Sequence, residues 1–175
     1  MPIYTKKGDK GETGTLEGKR ISKDSLQIEI LGTIDEANSF LGLSTSFLEE
    51  KYLVNKITQV QKTLFKLGSI VAGTKGSISK SIVAKYEKEI DEWTEGMPKL
   101  SNFIFPGGCP SAASLYTART VVRRLERLLV HAKNLEIKIS DSTLIFINRL
   151  SDYLFTLARY INFRKGVKES TWITK

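Results

Sequence analysis

Two of the commonest catalytic and metal-binding side chains are almost missing from this sequence, which has one cysteine, Cys109, and one histidine, His131. A single cysteine excludes an intrachain disulfide and any cysteine-rich metal site. A single histidine excludes paired-histidine zinc motifs and argues against a histidine-based triad. Any chemistry must then rest on carboxylates, Arg and Lys, hydroxyls, or the reactivity of a bound cofactor. No apolar run reaches the roughly 18 residues needed to span a bilayer, so no membrane helix is expected. The opening stretch from Met1 to Gly14 lacks the apolar centre of a signal peptide, and a cytoplasmic location is expected.

What is present fits one domain: 175 residues, 41% hydrophobic and 26% charged, enough to enclose a core. The formal net charge of +8 suggests an anionic partner. A nucleic acid, a membrane surface or a nucleotide triphosphate would each satisfy it, as would a plain solvated basic surface.

The first 25 residues are rich in Gly, Lys and Thr without sustained periodicity, and read as an ordered loop or a disordered tail. Five segments with helical spacing follow. The first is expected to begin at Thr33-Ile34-Asp35-Glu36, which fits a capping box, with Ile34, Ala37, Leu41, Ser44 and Leu48 inward. The second covers about 51–72, with Leu53, Ile57, Val60, Leu64, Leu67 and Val71 on one face. The third covers about 82–96 and stops near Gly96-Met97-Pro98. The fourth is expected over about 111–133 and the fifth over about 141–165, closing at Gly166. Leu26 to Leu31 reads as a short strand at most, with too few partners for a sheet. The expected fold is all-α, a five-helix up-and-down bundle over 33–166 behind an N-terminal loop segment, 1–25.

The fourth helix carries the most chemistry. Its core stripe is Leu115, Ala118, Val122, Leu125, Leu129 and Ala132. At 100° per residue, Arg119 and Glu126 share one flank of that stripe, with Arg123 and Arg127 further round and Arg124 on the other flank. The planar fork of Arg binds phosphate oxygens in bidentate fashion, so this row suits a polyphosphate or an intersubunit ion pair. An exposed basic helix face is the plainer reading. The loop Thr5-Lys6-Lys7-Gly8-Asp9-Lys10-Gly11-Glu12-Thr13-Gly14 adds a second phosphate-like signal, because Gly lets backbone N–H groups approach an anion and Lys neutralises it. It is not a P-loop, and flexible basic N-termini are common. On the fifth helix, Asn148 has a donor and an acceptor suited to an adenine edge or ribose, while Arg149 and Asp152 are spaced to pair with each other.

These stretches together resemble a known family. Tyr4 to Thr13 with Gly18 to Asp24, Gly32-Thr33-Ile34-Asp35-Glu36-Ala37-Asn38, Phe103-Ile104-Phe105-Pro106-Gly107-Gly108, Ala118 to Arg127, and Asn148 to Phe155 are similar, in order, to the signatures of PduO-type ATP:cob(I)alamin adenosyltransferases. Ala37 stands where a larger aliphatic residue is common and Phe105 where Leu is usual, which bears on fine corrin contacts rather than on the reaction.

The resemblance implies a homotrimer of five-helix bundles with active sites between subunits. It implies ATP, with Mg²⁺ held mainly through the nucleotide, bound by Thr5, Lys6, Lys7, Gly8, Thr13, Gly14 and Lys23. Arg123, Arg124, Leu125, Glu126, Arg127 and Asn148 would complete that site. Phe103 would occupy the lower face of the corrin and displace the dimethylbenzimidazole ligand, and Asp35 would pair with Arg119 near the corrin, across or beside the subunit boundary. Cob(I)alamin would then attack C5′ of ATP and expel triphosphate, with the protein supplying position and charge neutralisation. A reductase and a B12-dependent enzyme are further expected partners. The competing readings are a chaperone that binds ATP and cobalamin mainly to deliver the product, and a basic nucleic-acid-binding protein. Retention of both Phe103 and Asp35 weighs against the first. The second requires arginines on an open face.

Overall fold

The computed structural model describes residues 3–16, 18–135 and 137–172. Five helices carry it: α1 (Leu26–Thr45), α2 (Lys51–Val71), α3 (Lys80–Glu95), α4 (Pro110–Asn134) and α5 (Asp141–Arg164). Among the described residues no helix is long and apolar enough to cross a membrane. The expected spans of α2 to α5 agree with this to within two residues. The first does not.

Helix α1 starts at Leu26, about two turns before Thr33, with Ser25 as its N-cap. The apolar run Leu26 to Leu31 is therefore helical rather than extended, and buries Ile30. Thr33 lies inside the helix, its hydroxyl donating to the Glu29 carbonyl at 2.8 Å, so the capping box does not form. Glu36 points outward and pairs with Arg124 on α4. The helix also ends before Leu48, which packs on the core from the following loop.

Two small sheets also depart from the expected absence of strands. The N-terminal segment is a hairpin of β1 (Glu12–Gly14) and β2 (Arg20–Ser22), paired antiparallel as Glu12↔Ser22, Thr13↔Ile21 and Gly14↔Arg20. Near the other end, β3 (Phe103–Ile104) pairs antiparallel with β4 (Thr171–Trp172). Strands of two or three residues show no alternation long enough to be read from sequence.

Packing runs α2–α1–α4–α5–α3. Helices α1 and α4 approach closely because their contact is lined by small residues. Ser44 Oγ donates to the Ser111 carbonyl at 3.0 Å and meets Ser111 Oγ at 2.7 Å, while Ser114 Oγ donates to the Phe40 carbonyl at 2.6 Å. The predicted α4 stripe, Leu115, Ala118, Val122, Leu125, Leu129 and Ala132, is wholly buried, as are Leu150, Leu154, Leu157 and Ile161 of α5. Truncating one such leucine to alanine costs about 2–5 kcal/mol.

A buried polar cluster closes α3 onto both α2 and α5. Glu89 accepts from Lys56 Nζ at 2.7 Å and from Tyr153 Oη at 2.6 Å, so each of its oxygens is satisfied. Tyr153 stacks on Tyr86 at 4.2 Å between ring centroids. Burial pulls the Lys56 ammonium toward neutrality, but the hydrogen bond and charge of Glu89 outweigh it, leaving its pKa above the ordinary 10.5. The stabilisation is therefore complete below pH 10.5 and is lost as pH rises through the folded-state value. Replacing Lys56 with Met leaves the buried Glu89 carboxylate with only the more exposed Lys85, 3.9 Å away, as a cation, a loss expected to be about 3 kcal/mol. Urea unfolding at neutral pH should show that loss, and the gap from the parent protein should narrow in alkaline buffer; a gap independent of pH would discount the ion pair.

Candidate functional site

The N-terminal hairpin is organised around its glycines and cations. Gly8 accepts from the Gly11 amide at 3.3 Å, and Gly11 turns with φ +81°, a left-handed value suited to glycine. The Gly11 carbonyl receives the Lys23 amide at 2.8 Å, and the Lys23 ammonium lies against Gly8, 3.2 Å from where a Cβ would stand. Arg20 Nη2 donates to the Lys7 carbonyl at 2.6 Å. Thr5, Lys6, Lys7, Gly8, Thr13, Gly14 and Lys23 are thus brought onto one folded unit. Among the described residues no helix packs extensively against its two strands, and Ile3, Tyr4 and Leu16 stand exposed.

On α4 the arginines fall into two groups. Arg123 and Arg127 are exposed, and Arg127 Nη1 donates to the Arg123 carbonyl at 3.0 Å. Among the described residues neither is paired with a carboxylate, so their charge faces outward uncompensated. Arg124 is engaged by Glu36. Glu126 accepts from Asn148 Nδ2 at 2.9 Å, joining the two helices beside the arginine row. Leu125, between them, is fully buried; its side chain belongs to the core and presents nothing to a nucleotide.

Arg119 is half-buried, its guanidinium 5.4 Å above the Phe155 ring. Burial and the neighbouring Arg123 draw its pKa below the ordinary value, with Asp152 opposing. Asp35 is exposed, and within the chain it does not pair with Arg119. Arg149 is taken by Asp152 at 2.7 Å, as its spacing suggested, and also by Glu87 at 3.0 Å.

Phe103 begins β3 and is 84% exposed. Burying such a ring is worth about 1.5–3 kcal/mol, so holding it in water calls for a reason. The strand is fixed by a residue that sequence reading passed over. Asn162, almost wholly buried near the end of α5, donates to the Gly107 carbonyl at 2.9 Å and accepts from the Cys109 amide at 3.0 Å. Gly108, between those contacts, has φ +108°. A polar residue on the inward side of α5, opposite a Gly-Gly pair, was the available signal.

With this arrangement in view, comparison with known proteins is direct. A family model described as cobalamin adenosyltransferase matches residues 3–161. The chain belongs to that family. It is similar to a corrinoid adenosyltransferase of Bacillus subtilis, 42% identical over 175 residues, covering 95% of this chain and 90% of that one. The human corrinoid adenosyltransferase MMAB is 36% identical over 185 residues, covering 98% of this chain and 73% of that one. Among solved structures, a variant PduO-type ATP:corrinoid adenosyltransferase from Lactobacillus reuteri, complexed with cobalamin and ATP, superposes with a TM-score of 0.92 at 33% identity. That match covers 99% of this chain and all of the other. The family resemblance inferred from the motifs is thereby established, as is the helical bundle.

The Asn162 clamp yields a test. A Cβ on Gly108 would stand 2.2 Å from Asn162 Oδ1, and the backbone there is left-handed. Gly108→Ala should therefore cost about 2–4 kcal/mol in thermal or urea unfolding, from clash and backbone strain together. A loss under about 0.5 kcal/mol, the size of a neutral surface change, would mean that the loop is not clamped there.

Proposed function

We propose that this member of the family transfers the 5′-deoxyadenosyl group of ATP to the cobalt of cob(I)alamin, releasing triphosphate. The observation that carries the reading is the pairing of two unlike features in a chain with scarcely any His or Cys. One is the pair Arg123 and Arg127, without carboxylate partners among the described residues; the other is an aromatic ring held out in solvent by a clamped strand. The first suits a polyphosphate leaving group. The second suits the apolar underside of a corrin.

ATP would lie between the hairpin and the arginine row. Thr5, Lys6, Lys7, Gly8, Thr13, Gly14 and Lys23 would hold phosphates and nucleoside from one side. Arg123, Arg124, Arg127, Glu126 and Asn148 would hold them from the other, with Mg²⁺ held mainly through the triphosphate. The C5′–O bond breaks as the cobalt electron pair attacks C5′, and the electrons leave with triphosphate. Uncompensated guanidinium groups stabilise the charge that grows there. Phe103 would cover the lower face of the corrin, excluding both the dimethylbenzimidazole base and water. Without a lower ligand the orbital that receives an electron falls, easing reduction of Co(II) to Co(I).

Two features support an assembly with sites shared between subunits, a homotrimer by family resemblance. The N-terminal segment leaves Ile3, Tyr4 and Leu16 exposed on its own chain, and a two-stranded ribbon alone is marginal in water. Asp35 and Arg119, unpaired with each other within the chain, would complete the corrin site there. Cytoplasmic location and a reductase and B12-dependent enzyme as partners belong to the same reading.

The reaction is tested by supplying cobalamin, a strong reductant and Mg-ATP and following the corrin spectrum. Phe103→Ala should keep its ATP affinity while losing most adenosylation from cob(II)alamin; unchanged turnover would remove the lower-face role. Arg123→Ala should lose one charge-assisted contact worth about 1.5–3 kcal/mol. Calorimetric titration with ATP reads that loss directly, and an unaltered affinity would sink the assignment of the arginine row.

A further inference from the structure

The strand that carries Phe103 is held by a segment outside the five motifs. After α5 the chain reverses at Gly166, whose φ is +65°. The Val167 amide donates to the Asn162 carbonyl at 2.9 Å and the Gly166 amide to the Phe163 carbonyl at 3.0 Å, the two bonds of a Schellman turn. Residues 167–172 then run back beside β3. The Phe105 amide donates to the Ser170 carbonyl at 2.8 Å, Thr171 pairs with Ile104, and Trp172 pairs with Phe103. The Trp172 ring meets Phe105 edge-on at 5.8 Å.

Two paired residues per strand do not hold together unaided. Packing supplies part of the difference, since Ile104 lies against the core and Trp172 meets Phe105. Cavities of about 410, 330 and 170 Å³ border this small sheet. The strong contact is electrostatic. Glu169 receives Arg159 Nε on both carboxylate oxygens, at 3.2 and 3.1 Å. Arg159 is 7% exposed, and its Nη2 donates to the Pro98 carbonyl at 3.2 Å. One nearly buried guanidinium thus grips α5, the C-terminal strap, and the segment entering β3 from the other side.

We propose that the Arg159–Glu169 ion pair anchors a C-terminal strap that fixes Phe103, making both of them positioning residues for adenosyl transfer. The proposal rests on the lower-face role of Phe103 given above. Arg159 and Glu169 touch neither substrate in this scheme and act through the β3–β4 pairing. Without the pair, β4 separates from β3, and Phe103 samples positions that leave the lower face of cobalt open to a base or to water.

The test uses the full chain with Glu169→Ala, Phe103→Ala and the double variant. Glu169→Ala leaves the nearly buried Arg159 guanidinium without its carboxylate and should lower thermal stability, so turnover and spectra are measured well below the melting temperature of each variant. Glu169→Ala should keep ATP affinity and lower adenosylation from cob(II)alamin about tenfold, the size expected for one lost charge-assisted contact. Electron paramagnetic resonance of bound cob(II)alamin should show a smaller fraction without a lower ligand. The double variant should be no worse than Phe103→Ala, because the pair acts through that ring. Additive losses would overturn the proposal, since a merely structural staple would act independently of Phe103. Parent-like turnover and resonance spectrum in Glu169→Ala, with Phe103→Ala defective, would overturn the strap alone. A silent Phe103→Ala would overturn the lower-face reading and the strap together.

Discussion

The paired hydrogen bonds from Asn162 to Gly107 and Cys109 set the geometry on which the rest depends. They fasten the start of α4 to the end of α5, and so fix where β3 leaves the bundle. An amide side chain is suited to this because it both donates and accepts. Buried as it is, each half must find a partner or cost free energy, which makes the contact selective for one arrangement of the loop. The glycine between the contacts is what lets the backbone come so near.

From that fixed point the two chemistries separate. Along α4 the inward stripe is Leu, Ala and Val, and the outward row is Arg. Carboxylates are present but already committed: Glu36 to Arg124 and Glu126 to Asn148. Among the described residues Arg123 and Arg127 have no carboxylate partner and stand exposed at the surface. At the start of the same helix the surface is apolar instead, with Phe103 and Phe105 exposed. One helix with its leading loop thus presents a cationic flank and an exposed aromatic surface, with the half-buried Arg119 between them.

Much of this was legible in sequence, for a physical reason. Long helices repeat their apolar stripe over several turns, so the signal accumulates, and the inward residues of α2, α4 and α5 could be named in advance. Helix α1 was misjudged at its start because Thr33 and Glu36 have capping-box spacing, while the real start at Ser25 has no side-chain cap bond. Small strands failed for the opposite reason, being too short to alternate. The arginine row was visible as a pattern, but which arginines are free was not, since that depends on Glu36 arriving from another helix. The roles of Asn162 and Arg159 could not be read because each acts on a segment distant in sequence, and a polar residue on an apolar helix face does not name its partner.

The scarcity of histidine and cysteine looks different after the structure. A side chain that performs acid, base or nucleophilic chemistry must have a tuned pKa, and burial and charge are spent to achieve it. Here the strongly perturbed groups are tyrosines whose hydroxyls burial pushes up: Tyr153 and Tyr86 in the packing between α3 and α5, and Tyr116 on α4 against Phe155 of α5. They lock helices together. At the candidate site the clear departure is Arg119, and even lowered it is an arginine that keeps its charge near neutral pH. A site of permanent cations and a bare aromatic ring has no proton to move. It suits a reaction whose nucleophile arrives with the substrate, where the protein need only hold two reactants in line and shield one face of a metal. On that proposed division of labour, the accuracy with which the Asn162 clamp and the strap hold Phe103 would matter more than any side-chain pKa.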